Sequence, residues 1–454
     1  MSRSESVFSL SNQESGNQKK IWRILGFCAL LIILYIPFGI ALNVSADIDL
    51  ASVRIIIPAF FLIWLAAAAF LKKKLLISSF QGFGLIAIAT ISAASLAFAS
   101  ELGWGIRKLA VFLSIFPLYF FIAGLACKKI YYQKIINTLI LGAFISSVIG
   151  LTQFFSQFFV GFPALIRLYS GTIGPIFWGG SFSGLVVQNP SWFVSVGGGT
   201  LMRAFGLFPD PHMMAFFLGL VLPLAIVKVI YAKKTGYFLV ACTVIMLAVL
   251  LLTFSRGGYL GLFFSITVIL FYSWTFLDRK KKSVILTGSV LSLLILLIFA
   301  VPIVSRFISS FLLSEGSSLG RLQIWKQSIL VFLDNPVFGK GLGNYSRAVD
   351  PLAVYRNPIT SHNLYLDIAA ETGIFGLAAW LFLLSGSFCQ LAVSLKKDRA
   401  APDSKTFLKI GLAGSLAYFA VHSFFETSIF NPAILACLMI VLALISVNLK
   451  PARQ

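Results

Sequence analysis

Acidic residues are scarce in this chain. Of its 454 residues only 15 are Asp or Glu, against 36 Lys and Arg, and charged residues make up 11% of the whole. A soluble domain carries roughly 25%, so a solvent-covered globular surface is excluded. Histidine is scarcer still, with three residues. There is no Cys-x-x-Cys pair and no His-rich tract, and Asp210-Pro211-His212 offers two ligands with no second cluster nearby, too few for a dedicated metal site. The five cysteines, Cys28, Cys127, Cys242, Cys389 and Cys437, all fall in or at the ends of apolar runs, so no disulfide framework is expected. The net charge of +21 does not signal nucleic acid, because no basic stretch lies in a soluble segment. Internal repeats and a separate soluble domain are also lacking.

What the chain does have is apolar sequence, 59% of it by residue type. Runs lie near 21–42, 53–71, 80–99, 108–126, 135–160, 211–230, 236–254, 258–277, 283–304, 364–394, 406–425 and 432–449. Most reach the roughly 18 to 22 residues needed to cross a hydrocarbon layer of about 30 Å. The expected fold is an all-α polytopic membrane protein of about twelve transmembrane helices, a single membrane domain over 21–449. Residues 1–20 are polar and rich in Ser and Asn, and read as disordered. Lys19-Lys20 before an apolar run resembles a secretory signal. However, the run is as long as a span and no small-x-small cleavage site closes it, so it reads as an uncleaved first span.

Lysine clusters orient the spans. Lys72-Lys73-Lys74, Lys128-Lys129, Lys233-Lys234, Arg279-Lys280-Lys281-Lys282, Lys396-Lys397 and Lys450 fall in alternate connections. The positive-inside rule makes these cytoplasmic, and with them both termini. Two of the opposite, outer connections are long. Residues 161–210 are rich in Gly, Ser, Pro and aromatics and read as an irregular loop resting on the bilayer. In residues 305–362, Leu322, Trp325, Ile329 and Phe332 recur at helical spacing among polar residues, the pattern of an amphipathic surface helix ended by Asp334-Asn335-Pro336. A connection of this length exceeds what joining two helices requires, which points to function at that face.

The basic residues on the outer side are of the other type. They are Arg54, Arg107, Arg167, Arg203, Arg256, Arg306, Arg321, Arg347 and Arg356, with only Lys108, Lys326 and Lys340. A planar guanidinium matches phosphate oxygens two at a time, whereas an ammonium is a point charge. Snorkelling to lipid headgroups would not favour Arg over Lys so strongly. The bias therefore points to a phosphorylated ligand. Arg256 stands between two spans with almost no loop, in Thr253-Phe254-Ser255-Arg256-Gly257-Gly258, a costly place for a charge without a task.

Among possible acids and bases, His362 in Ser361-His362-Asn363 sits where the long connection meets the next span, with Ser361 or Asn363 placed to cap it. A helix N-terminus disfavours the charged imidazole, so His362 is expected to be neutral and able to accept a proton. Asp367 and Glu371, four residues apart on that helix, could each orient it. Glu426 could balance an Arg, polarise a hydroxyl or serve a structural pairing, and His422 reads as a packed helix residue. Gly339-Lys340-Gly341-Leu342-Gly343 follows no strand and so does not read as a nucleotide loop.

Taken together and in order, Phe254-Ser255-Arg256-Gly257-Gly258, Gly320-Arg321-Leu322 through Trp325, Asn335-Pro336-Val337-Phe338-Gly339-Lys340-Gly341, Ser361-His362-Asn363 and Glu371-Thr372-Gly373-Ile374-Phe375-Gly376 resemble the bacterial O-antigen ligase and polymerase family of polytopic membrane glycosyltransferases. The resemblance implies a GT-C-like architecture in the inner membrane and an active site on its outer face. It implies a glycan donor on undecaprenyl diphosphate, with lipid A core or a second lipid-linked glycan as acceptor. The matching residues would be Arg256, Arg321 and Arg203 on the diphosphate and His362 as the base. Glu426, Asp367, Glu371 and Lys340 are candidates for support, and neither a metal nor a cofactor is implied. A transporter of lipid-linked sugars, the rival class, would want charges along a midplane path and internal repeats, and the sequence offers neither.

Overall fold

The chain is described here from a computed structural model over residues 16–45, 48–71, 79–187, 190–196, 198–232, 236–274, 276, 283, 316–355, 359–399 and 402–447. It is an all-α polytopic membrane protein, and the sheets among the described residues are two short antiparallel hairpins. In chain order come α1 (Gly16–Tyr35), the hairpin β1 (Ala41–Ser45) and β2 (Ile48–Ala51), α2 (Val53–Phe70), α3 (Phe80–Ser95), α4 (Leu102–Ile115), α5 (Pro117–Ala126) and α6 (Lys129–Val160). The short helices α7 (Phe162–Leu168), α8 (Gly174–Phe177) and α9 (Gly180–Val187) follow, then the hairpin β3 (Phe193–Val196) and β4 (Gly199–Met202). The chain continues through α10 (Pro211–Tyr231), α11 (Tyr237–Leu252), α12 (Arg256–Ser273), α13 (Gly316–Asp334), α14 (Tyr345–Val349), α15 (Leu364–Asp398), α16 (Ser404–His422) and α17 (Pro432–Ser446).

Eight helical stretches are long and apolar enough to span a membrane, and α11 and α17 are shorter apolar helices. The expected run at 283–304 lies outside the described residues apart from Ser283. Sequence punctuation sets many of the boundaries. Asp210, Ser255, Asn363, Asp403 and Asn431 each accept backbone N–H bonds as helix N-caps, and Pro211 and Pro432 occupy first-turn positions where no N–H is needed. Helix α10 is buried along most of its length, with α12 and α16 packed against it.

Three expectations change. Helix α1 begins at Gly16, so residues 16–20 are helical rather than disordered. The connection 161–210 is not irregular. Its short helices and hairpin enclose an aromatic core of Tyr169, Trp178, Trp192 and Phe205, because dense aromatics bury one another even in a Gly-rich stretch. The apolar run 364–394 is not one continuous rod: Gly373, at φ 67° and ψ −164°, breaks α15 into two helices.

That break is filled by the turn after α13. Lys340 N–H donates to Ala370 O at 2.9 Å and Ile374 N–H donates to Pro336 O at 2.8 Å, so groups the broken helix would orphan are satisfied by the turn. Backbone meets backbone here. A Cβ on Gly373 would lie 2.2 Å from Val337 O, and one on Gly339, also at positive φ, 2.4 Å from the Glu371 carbonyl carbon. The expected termination of the amphipathic helix at Asp334 is observed, and the two motifs around Gly339 and Gly373 form one joint.

The connections gather at two ends. At one end, Gly180 N–H donates to Asn43 Oδ1, Ala204 N–H to Leu252 O, Glu101 N–H to Asn344 Oδ1 and Leu364 N–H to Ser423 O. The other end carries Lys128, Lys129, Lys228, Lys396, Lys397, Lys405 and Lys409. Of the nine arginines expected on the outer side, Arg54 and Arg256 stand at the starts of α2 and α12, Arg167, Arg203, Arg321 and Arg347 lie in the two long connections, and Arg107 lies in the second turn of α4; Arg306 and Arg356 lie outside the described residues.

Replacing Gly373 with Ala should cost about 3 kcal/mol or more, from strain at positive φ and the clash with Val337 O. Gly103→Ala, in helix α4 with nothing within 4 Å of the added methyl, should be neutral or stabilising by up to about 1 kcal/mol. Thermal melts of the detergent-solubilised protein check this, and equal melting temperatures would remove the joint from the account.

Candidate active site

His362 lies between α14 and α15, and three interactions hold its loop. Trp325 Nε1–H of α13 donates to Ser361 O at 3.1 Å, Ser361 N–H donates to Asp367 Oδ1 at 2.9 Å, and Asn363 caps α15. Asp367 also accepts the hydroxyl of Thr427, which joins the His362 loop to the segment after α16. Glu426 is in that segment. His362 Nδ1 lies 3.1 Å from both carboxylate oxygens of Glu426. The residue that orients the imidazole is therefore Glu426, neither Asp367 nor Glu371. Asp367 clamps the loop, and Glu371 accepts a 2.6 Å ion pair from Lys108, whose ammonium also lies over the Phe430 ring.

This pairing favours the protonated imidazole of His362 relative to a free one, against the expectation from its place near a helix N-terminus. Its pKa is raised above the ordinary value, chiefly by the hydrogen bond to Glu426, with burial and the nearby Arg321 guanidinium opposing. With a proton on Nδ1 shared with the carboxylate, Nε2 is the nitrogen left to accept another.

Arg321 on α13 lies within electrostatic reach of His362, His212 and His422. Arg256 is exposed at the first helical position of α12, beside Ser255. Gly257 next to it is pressed on α16, where a Cβ would come 2.7 Å from the His422 ring. Arg203 is different: it is buried, at 6% exposure, and donates from Nε to Thr253 O at 2.6 Å and from Nη1 to Ser191 O at 2.7 Å, while Nη2 has no partner among the described residues. Burial lowers its pKa to about 10, so it stays cationic at neutral pH. Asp210, 2.7 and 3.0 Å from the N–H groups of His212 and Met213, is pushed up to about 6 by burial and by Glu426. Its carboxylate is thus committed to capping α10. Lys340 sits in the turn that fills the break in α15, joined to the site through its backbone bond to Ala370.

The two non-glycine residues at positive φ among the described residues are Phe254 (48°) and His362 (50°). Both adjoin residues singled out from the sequence. A bulky Phe in this conformation is unusual, and such strain gathers at functional sites because the surroundings must enforce it.

Sequence reasoning missed the support beneath Arg203. Gln153 and Gln157 of α6 are buried, and each both donates to and accepts from the backbone of residues 202–205. Two glutamines one turn apart in an apolar span were the available signal. Trp178, Trp192 and Tyr169 donate to the carbonyls of Leu207, Pro209 and Gly206, which fixes the approach to Asp210.

A membrane helix bundle with an arginine-flanked His–carboxylate pair at one end is the class that the fold and site define. Residues 241–381 match the family model described as O-antigen ligase, a region that contains all five motif segments. The chain is also 28% identical over 214 residues to the teichuronic acid biosynthesis protein TuaE of Bacillus subtilis (strain 168). That match covers 44% of this chain and 43% of the relative, less than half of either. The resemblance read from the motifs is borne out as a likeness: residues 241–381 are similar to the O-antigen ligase family.

Arg203→Gln should lower the melting temperature, with a cost of about 3 kcal/mol for the two buried carbonyl bonds it gives up. Arg256→Gln, at an exposed position, should leave the melt within about 0.5 kcal/mol of the parent. Equal losses from both would mean that Arg203 has no special place in holding the hairpin.

Proposed function

We propose that the protein is a membrane glycosyltransferase. It moves a glycan from undecaprenyl diphosphate to a sugar hydroxyl at the arginine-bearing end of the bundle, on the extracytoplasmic face. The single observation that carries the reading is the His362–Glu426 pair, 3.1 Å apart beside Arg321. The match to the O-antigen ligase model and the relative's name, which concerns teichuronic acid biosynthesis, support the same class of work.

The chemistry follows from the groups present. The acceptor hydroxyl gives its proton to Nε2 of His362 as its oxygen attacks the anomeric carbon. Glu426 stabilises the imidazolium that forms. The bond from that carbon to the diphosphate oxygen breaks, and the diphosphate leaves with the electron pair. Arg256 and Arg321 neutralise the charge that develops on it, which is electrostatic stabilisation by preorganised donors. One displacement inverts the anomeric carbon, with the arginines supplying the positive charge. Arg203, with one free buried N–H end, contributes positive potential beside them. The Lys-rich opposite end fits a cytoplasmic face under the positive-inside rule.

The acceptor separates two readings. A ligase transfers a finished glycan to lipid A core. A polymerase transfers a growing chain to another lipid-linked repeat.

In a deletion strain complemented with His362→Ala, surface polymer should be absent although the protein is made at wild-type level. Long polymer stranded on the lipid carrier marks a ligase, and accumulated single repeats mark a polymerase. Normal surface polymer with His362→Ala would sink the role given to this residue. The pH profile tests Glu426. Because the carboxylate raises the imidazole pKa, the base is protonated and idle at low pH and gains activity as pH rises through that value. Glu426→Gln removes the charge, so the acid limb should move to lower pH while the plateau rate falls about 10- to 100-fold. An unmoved limb would contradict the pairing.

A further inference from the structure

Ser255 is enclosed by three hydrogen-bonding groups. Its Oγ lies 3.0 Å from His212 Nδ1, 3.2 Å from His422 Nε2 and 3.2 Å from the Gly258 N–H that it caps. A hydroxyl has one proton to give and two lone pairs to receive. The three partners fill it: the Gly258 N–H donates to one lone pair, so one imidazole donates to the other lone pair and the second imidazole accepts the hydroxyl proton.

His422 settles the order. Its ring is wholly buried, stacked on Phe216 with centroids 3.7 Å apart and an interplanar angle of 6°, and its Nδ1 has no partner among the described residues. A stranded N–H donor is costlier than a stranded lone pair. The proton of His422 therefore sits on Nε2 and is donated to Ser255. The Gly258 N–H takes the second lone pair, so the hydroxyl proton goes to His212 Nδ1. His212 is left with its proton on Nε2.

We propose that Ser255 and His422 lock His212 as a neutral imidazole whose Nε2–H donates a hydrogen bond to an anionic phosphoryl oxygen of the lipid donor. The ring is only partly buried and lies within electrostatic reach of Arg203, Arg321 and His362. Arg203 adds a second, independent sign of an anion here, an unpartnered Nη2 on a side chain at 6% exposure. His212 thus supplies geometry where the arginines supply charge. Ser255 and His422 are positioning residues, and Ser255 joins this lock to Arg256 because it caps the helix that Arg256 begins. The inference rests on the glycosyltransferase reading for the identity of the anion. The tautomers do not depend on that reading.

Only three histidines are present, so ring-nitrogen NMR on the full chain in nanodiscs, with 15N-labelled histidine, reads six signals. His212→Gln identifies the His212 pair. At neutral pH, His212 should show a protonated Nε2 and a bare Nδ1, and added undecaprenyl diphosphate should shift the Nε2 signal. Binding of undecaprenyl diphosphate to the same nanodiscs is then compared across variants. His212→Gln retains an N–H near the Nε2 position and should bind within about threefold of wild type, whereas His212→Phe should bind about 10- to 100-fold more weakly. A protonated Nδ1 on His212 overturns the proposal in the parent protein, whatever the variants do. So does His212→Phe binding as wild type, in which case the functional reading stands without it. No binding by the wild type overturns the functional reading and the ligand assigned to His212, while the tautomer result still stands or falls on its own signals.

Discussion

Backbone that leaves a helix at the edge of a bilayer has little water to bond with, and this constraint shapes the site end of the protein. Every excursion there brings its own partners. Gln153 and Gln157 pair with the strand end at Met202 and its continuation, and Arg203 holds the carbonyls of Ser191 and Thr253. Asn344 ties the turn after α13 to the start of α4, and Asp367 ties the His362 loop to Thr427. The same requirement makes the break in α15 possible. Its orphaned groups meet those of the Asn335–Gly341 turn, and glycine stands at both points of closest approach.

The site follows from this arrangement. His362 and Glu426 are 64 residues apart and belong to separate connections, and their pairing depends on Asp367 and on the bond of Leu364 N–H to Ser423 O. Because these bonds are made inside the protein, the imidazole is oriented before any substrate arrives. Preorganisation of this kind is where enzymes gain most over water, since the dipoles need not reorganise as charge develops. Strained φ values at Phe254 and His362 are the local cost.

Much of this was legible beforehand. Hydropathy and lysine placement marked the spans and two ends, and helical spacing of Leu322, Trp325, Ile329 and Phe332 marked α13. The pairing of Glu426 with His362 was not legible, because Glu426 lies on the far side of two helices in sequence and nothing local distinguishes it from a surface acid. Asp367 and Glu371 looked better placed on helical periodicity alone, yet their carboxylates are turned to Ser361 and Lys108. The break at Gly373 was hidden because Gly is tolerated in membrane helices and an apolar run gives no sign of a kink. The aromatic stretch 161–210 misled for the opposite reason: glycine and proline suggest irregular backbone, while Trp and Tyr had enough buried surface to order it.

The proposed role of the arginine-bearing end is to receive the diphosphate of a lipid-linked glycan. Cryo-electron microscopy of the full chain in nanodiscs with undecaprenyl diphosphate tests it most directly. The account predicts density for the diphosphate within hydrogen-bond reach of Arg256 and Arg321, with the imidazole of His362 facing it and Glu426 behind. Diphosphate density seated instead among the lysines at the opposite end, with the His362 site untouched, would contradict the account.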